Sequence, residues 1–529
     1  MTKLIHLFIV LITCAPVAAF GMGKGTAINA VSRYHLRNVK PLHECRTKPL
    51  QMTSPISIVS KISRGGSIVE AVKSFNKTPS SLFNSSLITV AIITAAFKIL
   101  QRASNSSSAE EAVKKPKSVK DLQIRFLSVF WLLRCADWLQ GPYFYEVYSS
   151  KVFNGVPASL ALVSKLFLTG FASTALFGPL IGRGLDAYGR KKGTLAFTLI
   201  YAVGAASTKS PLLKVLFFGR IMSGIGTSLL FSAPESWLVA ESQGSGDDPT
   251  GSWLGETFGL AYAGDALVAI LAGQFAGVAA GARGPTGPFE LSAGFLALGG
   301  ILAALLWKEN IAKGSGDADV ETKKPSIKDA IEVIKRDPKI MLVGGVQSLF
   351  EAAMYIFVLQ WPPAINSAVA KAFGEGATTP FGTVFSCFMA CCLFGSTIFG
   401  QLAKMSVPTE KFTAGMLSVA AIAMSSATFA VSSSMSLPAL VASFFAFEAC
   451  VGMYFPSIGT LRSKYVPDSH RSVIMNLFGI PLNVLVVSVF LSISKLGLKG
   501  ALGISSGALV LATICMLKLN SIIGKKSEA

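Results

Sequence analysis

Charged side chains inside apolar stretches are where chemistry can be sought in this sequence, because an ionisable group at the centre of a bilayer costs about 3 kcal/mol and persists where it pairs or faces a cavity. Arg134 and Asp137 are three residues apart, so a helix puts them on one face and lets them pair. They open the run Asp137-Trp-Leu-Gln-Gly-Pro-Tyr-Phe-Tyr145, in which an acid, the amide of Gln140 and aromatics including Tyr143 surround a Gly-Pro break. Such a break frees backbone polar groups, which are tolerated only against protein or a cavity. An interfacial aromatic belt accounts for Tyr143 and Tyr145 but not for Asp137 or Gln140, and these two are expected to face a cavity. Lys165, Arg220, Asp265, Glu351 and Glu448 also stand in apolar runs. Lys165 is close enough to the end of its run to snorkel. Arg220 cannot be buried alone, and an internal acid such as Asp137 or Glu351 is one available partner. Glu351 and Glu448 suit either proton-carrying or helix-tying roles. Cys387, Cys391 and Cys392 span about one helical turn and read as packing residues.

The elements that must position these groups are membrane helices. Hydrophobic residues make up 51% of the 529 and charged residues 14%, with a mean hydropathy of +0.55, which excludes an ordinary soluble enzyme. The fold class is an all-α polytopic membrane protein. Two sets of six apolar runs can be drawn. The first is Ile124–Tyr145, Val156–Ile181, Gly193–Ala206, Leu213–Trp237, Phe258–Ala280 and Leu291–Trp307; the second is Ile340–Trp361, Gly382–Ala403, Phe412–Val431, Leu437–Ile458, Val473–Ser492 and Leu502–Leu519. A charged linker, 308–339, separates them, and Ser326–Ile334 within it suits a helix on the membrane surface. The net charge of +20 is spread over the N-terminal segment and alternate loops rather than gathered in a basic domain. It therefore sets topology and does not point to nucleic acid. Eight cysteines without a paired C-x2-C arrangement and four histidines, three of them in the first fifty residues, give no disulfide framework, metal site or His-based catalysis. Without a Walker loop or a His-metal motif either, no catalytic residues, cofactor or metal are expected.

Between the second and third runs lies Gly182-Arg-Gly-Leu-Asp-Ala-Tyr-Gly-Arg-Lys-Lys192. It reads as a short charged turn at the membrane surface. Gly182 and Gly189 permit a tight backbone, Asp186 can face a helix N-terminus, Arg190 seeks a carboxylate beside Lys191, and Glu235 at the loop end of the fourth run is the acid expected to pair with it.

The N-terminus reads separately. Residues 1–19 have a lysine, an apolar stretch and small residues, the pattern of a signal peptide. Residues 20–85 are rich in Ser, Thr, Lys and Arg with few acids, a transit-peptide composition. Together they resemble the two-part plastid presequence of algae with complex plastids, so a plastid envelope is the expected membrane; a plain secretory signal would instead direct the chain to the plasma membrane or endomembranes. Residues 86–122 hold an extra apolar segment, Leu87–Leu100, either a span or an interfacial helix, and a basic linker. The remainder divides into a six-helix half at 123–307, the linker at 308–339, a second half at 340–520 and a tail at 521–529.

The spacing Gly182-x3-Asp186-x2-Gly189-Arg190-Lys191-Lys192 resembles the loop signature of the major facilitator superfamily, with Ala187 standing where that family usually has a base. The layout of two six-helix halves and a long charged linker agrees with the same fold. A closer resemblance, to the superfamily's molybdate-anion transporters, rests on several motifs in order. These are Asp137–Tyr145; Gly219-Arg220 with Gly224, Gly226 and the run Leu229–Trp237; Gln347–Glu351 leading to Ile356-Phe-Val and Trp361-Pro362; Phe385–Ala390; and Glu448–Cys450 leading to Tyr454–Ser457. Arg134 departs from the pattern, which has an apolar residue there.

The resemblance implies transport of molybdate or a similar tetrahedral oxyanion by alternating access, by a chain expected to work as a monomer in the lipid bilayer. It makes Arg220 the leading ligand, since a guanidinium matches an oxyanion's paired oxygens. Asp137, Gln140, Tyr143, Arg134 and Asn483 complete the expected substrate site. Glu351 and Glu448 become coupling or structural acids, and Gly182, Asp186, Gly189, Arg190, Lys191 and Glu235 the gating loop. A sugar or organic-solute carrier with an aromatic cavity, or a receptor that keeps the fold without transporting, are the competing functions.

Overall fold

A computed structural model of the chain describes residues 78–103, 115–243, 249–310, 327–405, 407–433, 436–467 and 470–528. The stretch read as a signal peptide, residues 1–19, and most of the transit-like segment lie outside the described residues. The first helix, α1 (Pro79–Ala103), has 25 residues and reaches about 37 Å at 1.5 Å per residue, enough to cross a bilayer. It extends beyond the apolar run Leu87–Leu100 at both ends, and the hydroxyls of its first turns are satisfied on carbonyls of the preceding turn. Ser86 and Thr89 donate to Leu82 and Ser85 at 3.0 and 2.8 Å.

The first half follows as α2 (Lys117–Gln140), a one-and-a-half-turn helix α3 (Phe144–Ser149), α4 (Leu160–Tyr188), α5 (Arg190–Ser207), α6 (Leu213–Gln243), α7 (Leu254–Arg283) and α8 (Gly287–Leu306). A surface helix, α9 (Ile327–Arg336), precedes the second half: α10 (Pro338–Phe373), α11 (Phe381–Lys404), α12 (Thr409–Ser433), α13 (Leu437–Tyr465), α14 (Arg471–Leu491) and α15 (Ile493–Glu528), the last kinked at Gly497. Leaving aside the short α3 and the surface helix α9, the packing of one half repeats in the other. In the first, α2 lies against α8 and α7, α4 against α6, and α5 against α6 and α8. In the second, α10 lies against α15 and α14, α11 against α13, and α12 against α13 and α15. Each partner is the helix six places on in the core, the relation that a pseudo-two-fold along the membrane normal requires.

Three boundaries differ from the sequence reading, each for a local reason. The run Ile124–Tyr145 breaks at Gly141-Pro142, so α2 ends at Gln140 and Tyr143–Tyr145 lie at the start of α3. The run Val156–Ile181 begins in a two-stranded hairpin, Val152–Phe153 with Val156–Pro157, closed by Asn154 and Gly155 at positive φ; α4 starts at Leu160. The charged loop 182–192 is almost wholly helical. The helix α4 runs on to Tyr188, Gly189 at φ 108° makes the turn, and Arg190 starts α5. Glycines 182 and 184 keep helical geometry, and one residue in a conformation that glycine alone adopts readily suffices to reverse the chain.

The halves meet along two seams, α7 with α11 and α4 with α14. Ring contacts join them at Phe167–Phe490 (5.3 Å), Phe171–Tyr355 (5.0 Å), Trp138–Phe385 (5.8 Å) and Tyr143–Phe381 (5.9 Å). Phe167 and Phe171 occupy the first turns of α4, Phe381 and Phe385 the first turns of α11, and Phe490 the last turn of α14. These contacts therefore close the inter-half space at the end away from Gly189. The extra helix α1 rides on the second half: it packs on α11 through Phe97–Phe394 and through the Cys387 thiol, which donates to the Phe83 carbonyl at 3.3 Å. The surface helix α9 buries Ala330 against a small cluster with Ile340, Ile474 and Phe478.

Candidate functional site

The polar groups of the first half separate into two constellations. In one, Arg134 of α2 is spent on an acid 131 residues away: its Nε and Nη2 donate to both carboxylate oxygens of Asp265 in α7 at 3.0 and 2.9 Å, a bidentate pair. Trp138 Nε1 donates to the same carboxylate at 2.8 Å. The guanidinium also lies over the rings of Trp138 and Phe231 at 4.9 and 5.3 Å. Asp137, the partner expected from spacing, is held more loosely by Arg134 at 3.6 Å and accepts a 2.5 Å hydrogen bond from Tyr201 of α5. This group is closed upon itself, with more carboxylate than guanidinium, and has little to offer an anion.

The second constellation is built around Arg220. It sits two turns into α6, beside the early turns of α4. Its Nε donates to the Leu166 carbonyl at 3.3 Å, and the guanidinium lies 4.6 Å from the centre of the Phe144 ring. The buried hydroxyl of Tyr148, on α3, is within reach of it. Among the described residues Arg220 has no ion pair. Asp137 is held by Arg134 and Tyr201, and Glu351 accepts from Tyr454 at 3.0 Å. Glu146, the acid nearest Phe144 in the chain, has its carboxyl raised by burial. Both internal acids weighed for Arg220 are thus engaged elsewhere.

The close approach of α4 and α6 makes this geometry possible. A Cβ on Gly224 would meet Ser173 Cβ at 2.6 Å and Thr174 N at 3.0 Å on α4, and on the α5 side one on Gly226 would meet the Tyr201 ring at 2.6 Å. Small residues at both places let the helices touch backbone to side chain.

The other expected site residues are more dispersed. Gln140 is buried and donates to Ser292 of α8 at 2.9 Å, Ser292 in turn donating to the Ala136 carbonyl at 2.6 Å; its amide is turned into the half. Tyr143 stands at the α7–α11 seam, beside Gly277 and the Phe381 ring. Asn483 is half-buried on α14, two turns before Phe490 and so on the face turned to α4. Lys165 is exposed in an outer groove of about 480 Å³ with Leu168, Thr169 and Leu176, as a snorkelling lysine should be. Glu448 of α13 is buried with the Cys391 and Cys392 thiols as electrostatic neighbours, and among the described residues it has no hydrogen-bond or ion-pair partner. It lies where α11 and α13 nearly touch: a Cβ on Gly452 would come within 2.6 Å of the Cys392 carbonyl carbon.

At the Gly189 turn the acid that matters is one the sequence reading passed over. Glu309, in the charged linker, accepts from the backbone N–H groups of Lys191 and Lys192 at 3.0 Å each, capping the start of α5 with a carboxylate. Arg190 N donates to the Asn310 carbonyl, and Lys191 Nζ to the Ala304 carbonyl at 2.7 Å. Trp237 and Trp307, stacked 4.1 Å apart, fix the linker through a bond from Trp237 Nε1 to the Lys308 carbonyl. Glu235, expected to serve this turn, instead accepts from Tyr262 at 2.5 Å. The Arg183 and Asp186 side chains lie outside the described residues. The signal for Glu309 was present: it is the first acid after the last run of the first half.

A family model described as sugar transporters with 12 TM segments matches residues 82–454. The chain is similar to a molybdate-anion transporter of Xenopus tropicalis, 28% identical over 434 residues that cover 80% of this chain and 91% of the other. It is also similar to a molybdate-anion transporter of Takifugu rubripes, 31% identical over 390 residues that cover 69% and 77% respectively. Among solved structures, that of a nucleoside transporter superimposes with a TM-score of 0.60 at 14% identity, covering 75% of this chain and 99% of that one, which carries the fold alone.

Proposed function

We propose, from the premise that this chain belongs to the molybdate-anion transporter family of the major facilitator superfamily, that it carries molybdate or a similar tetrahedral oxyanion across its membrane by alternating access. The observation that carries the substrate class is Arg220: a guanidinium held between α6, the α4 backbone and the Phe144 ring, with no acid paired to it among the described residues. A half-buried guanidinium left without an internal counter-charge is stabilised by an anionic ligand, and a planar fork suits paired oxygens. A sugar carrier needs neutral donors and acceptors and gains nothing from such a charge, so the family model's description does not decide the cargo.

In this reading Arg220 is the main ligand, with Tyr148 beside it and Tyr143 and Asn483 as neutral donors on the walls. Gln140 is committed to Ser292 and Arg134 to Asp265, and both serve the frame of the site, as does Asp137 through Tyr201. The aromatic contacts at Phe167–Phe490 and Phe171–Tyr355 close the far end, so the cargo reaches Arg220 from the side of the basic loops. Rocking of the halves breaks those contacts, and the turn at Gly189, held by Glu309 and flanked by Gly182, Asp186 and Arg190, bears on the rate of that step. Of the two acids in the second half, Glu448 without a partner is assigned the coupling role, and Glu351, bonded to Tyr454, a structural one. The protein acts as a monomer with the bilayer as its only required partner. The presequence composition supports a plastid envelope as its membrane.

The test is uptake of labelled molybdate into vesicles carrying the purified protein, with sulfate, tungstate and a sugar panel as competitors. Saturable uptake that oxyanions compete and sugars do not is expected. Competition by a sugar but not by tungstate or sulfate would overturn the reading. Arg220→Lys keeps the charge and loses the fork, so binding should weaken by about 1–3 kcal/mol, and Arg220→Gln should abolish it. If Arg220→Gln instead fails to fold, and adding Asp137→Asn or Glu351→Gln restores fold and uptake together, Arg220 is an ion-pair partner and not a ligand.

A further inference from the structure

Gly170 of α4 faces the Arg220 guanidinium directly. A Cβ built on Gly170 has as its three nearest heavy atoms Nη2, Cζ and Nε of Arg220, the first well inside van der Waals contact and the others at 2.9 and 3.1 Å. On its other side the guanidinium has the Phe144 ring at 4.6 Å, and its Nε is tied to the Leu166 carbonyl one turn before Gly170. We infer that Gly170 is the positioning residue for the anion site: by lacking a side chain it lets the guanidinium lie flat between the α4 backbone and the Phe144 ring. In that slot the Nε–H is spent on the Leu166 carbonyl, and the Nη groups, with the Tyr148 hydroxyl beside them, can donate to paired oxygens of a tetrahedral dianion. This rests on the reading of Arg220 as the oxyanion ligand.

The same geometry separates position from packing. The atoms a methyl group at 170 would displace are the far end of a flexible side chain, so the chain can accommodate it by swinging Arg220 out of the slot. Alanine is also the better helix former of the two by about 1 kcal/mol, which favours α4. Gly224, one helix turn beyond Arg220, is the contrast: its added Cβ would meet the α4 backbone at Thr174 N and the Ser173 side chain, neither of which can move away. Gly170→Ala should therefore keep the fold and lose the geometry, whereas Gly224→Ala should loosen the fold.

The experiment uses full-length protein purified in detergent, with molybdate as the probe and equilibrium binding and thermal unfolding as the readouts. Gly170→Ala is expected to unfold at the wild-type temperature and to bind molybdate about tenfold or more weakly, the scale of one charge-assisted bond lost. A double-mutant cycle supplies a readout that a merely structural role would not move. With Gly170 present, Arg220 should bind better than Arg220→Lys. With Gly170→Ala, the slimmer ammonium escapes the added methyl group, and Arg220→Lys should bind at least as well as Arg220. Wild-type affinity in Gly170→Ala, with binding lost in Arg220→Gln, overturns the role of Gly170 and leaves the anion site standing. Unchanged affinity in Arg220→Gln overturns the site itself. Should Gly170→Ala fail to fold, Gly170→Ala with Arg220→Lys is measured: a folded double variant supports the slot, and an unfolded one places the clash elsewhere and refutes it.

Discussion

Replacing Asp265 by asparagine asks whether Arg134 is spent inside the protein or available to cargo. The two side chains are about one-tenth exposed and joined by bonds of 3.0 and 2.9 Å. Removing one member of a buried pair costs about 3–5 kcal/mol, most of it the uncompensated charge left behind. Here Asp137 stays 3.6 Å from the same guanidinium and the asparagine carbonyl can still accept from Trp138, so the loss should fall near the lower bound, about 3 kcal/mol. Asp137→Asn removes only that longer contact, its side chain is one-fifth exposed and the amide still accepts from Tyr201, so about 1 kcal/mol or less is expected. Replacing both partners with apolar residues, Arg134→Met with Asp265→Leu, should recover most of the stability lost in Asp265→Asn, because no charge is then buried alone. Heat unfolding of the purified variants in detergent gives the order, and equilibrium molybdate binding gives the contrast. If Asp265→Asn unfolds like the wild type yet loses molybdate binding, Arg134 is a ligand and the assignment of two separate constellations is wrong.

Three further outcomes follow. Glu309→Gln keeps an acceptor for the Lys191 and Lys192 N–H groups but removes the charge at the start of α5, so turnover should fall several-fold while equilibrium molybdate binding stays within about twofold; a matching loss of affinity would place Glu309 in the binding site. Asp186→Asn should likewise slow transport and spare binding, because the Gly189 turn is remote from Arg220 along α4, and a large affinity loss in a folded variant counts against it. The mature chain should begin no later than Pro79, since Leu82 and Phe83 are buried where α1 packs on α11. N-terminal sequencing decides this: a start beyond Phe83 would contradict the packing of α1, and recovery of Met1 would remove the targeting argument.

The helices were legible because their signal is local. Apolar runs and loop charges are properties of contiguous residues, and even α2 and α5, which carry several charges, contain apolar runs of their own, Ile124–Tyr145 and Gly193–Ala206. The boundaries that shifted depend on single residues: Asn154-Gly155 turned the start of a run into a hairpin, and Gly189 alone did the work assigned to eleven residues. The pairing of charges was not legible. Spacing offered Asp137 to Arg134 because it is three residues away, whereas the better partner, Asp265, reaches it only once α2 and α7 are packed. Glu235 was given to the charged turn for its proximity in the chain, yet Glu309 holds it, brought there by Trp307 stacking on Trp237. Gly170 carried no mark at all, since its role exists only relative to a side chain fifty residues on.

The two halves share a packing plan but not a charge plan, and the difference constrains how a dianion can be carried. Near the middle of the spans the first half holds Arg134, Arg220, Asp137 and Asp265, while the second holds the carboxylates Glu351 and Glu448. A dianion in a low-dielectric space is drawn to Arg220, the arginine of that set without an ion pair among the described residues, and repelled by ionised acids in the second half. With Arg220 as the proposed ligand, it would travel with α4 and α6 as the halves rock, and the second half would approach it through neutral groups, Asn483 and the rings of Tyr355 and Phe490. An unpartnered Glu448 between α11 and α13 is costly in its ionised form, and more so when a dianion enters the protein, so closure of the second half over loaded cargo and the proton content of Glu448 should not be independent. That is the physical ground for assigning coupling to Glu448 and not to Glu351, whose bond from Tyr454 already stabilises one oxygen of its carboxylate.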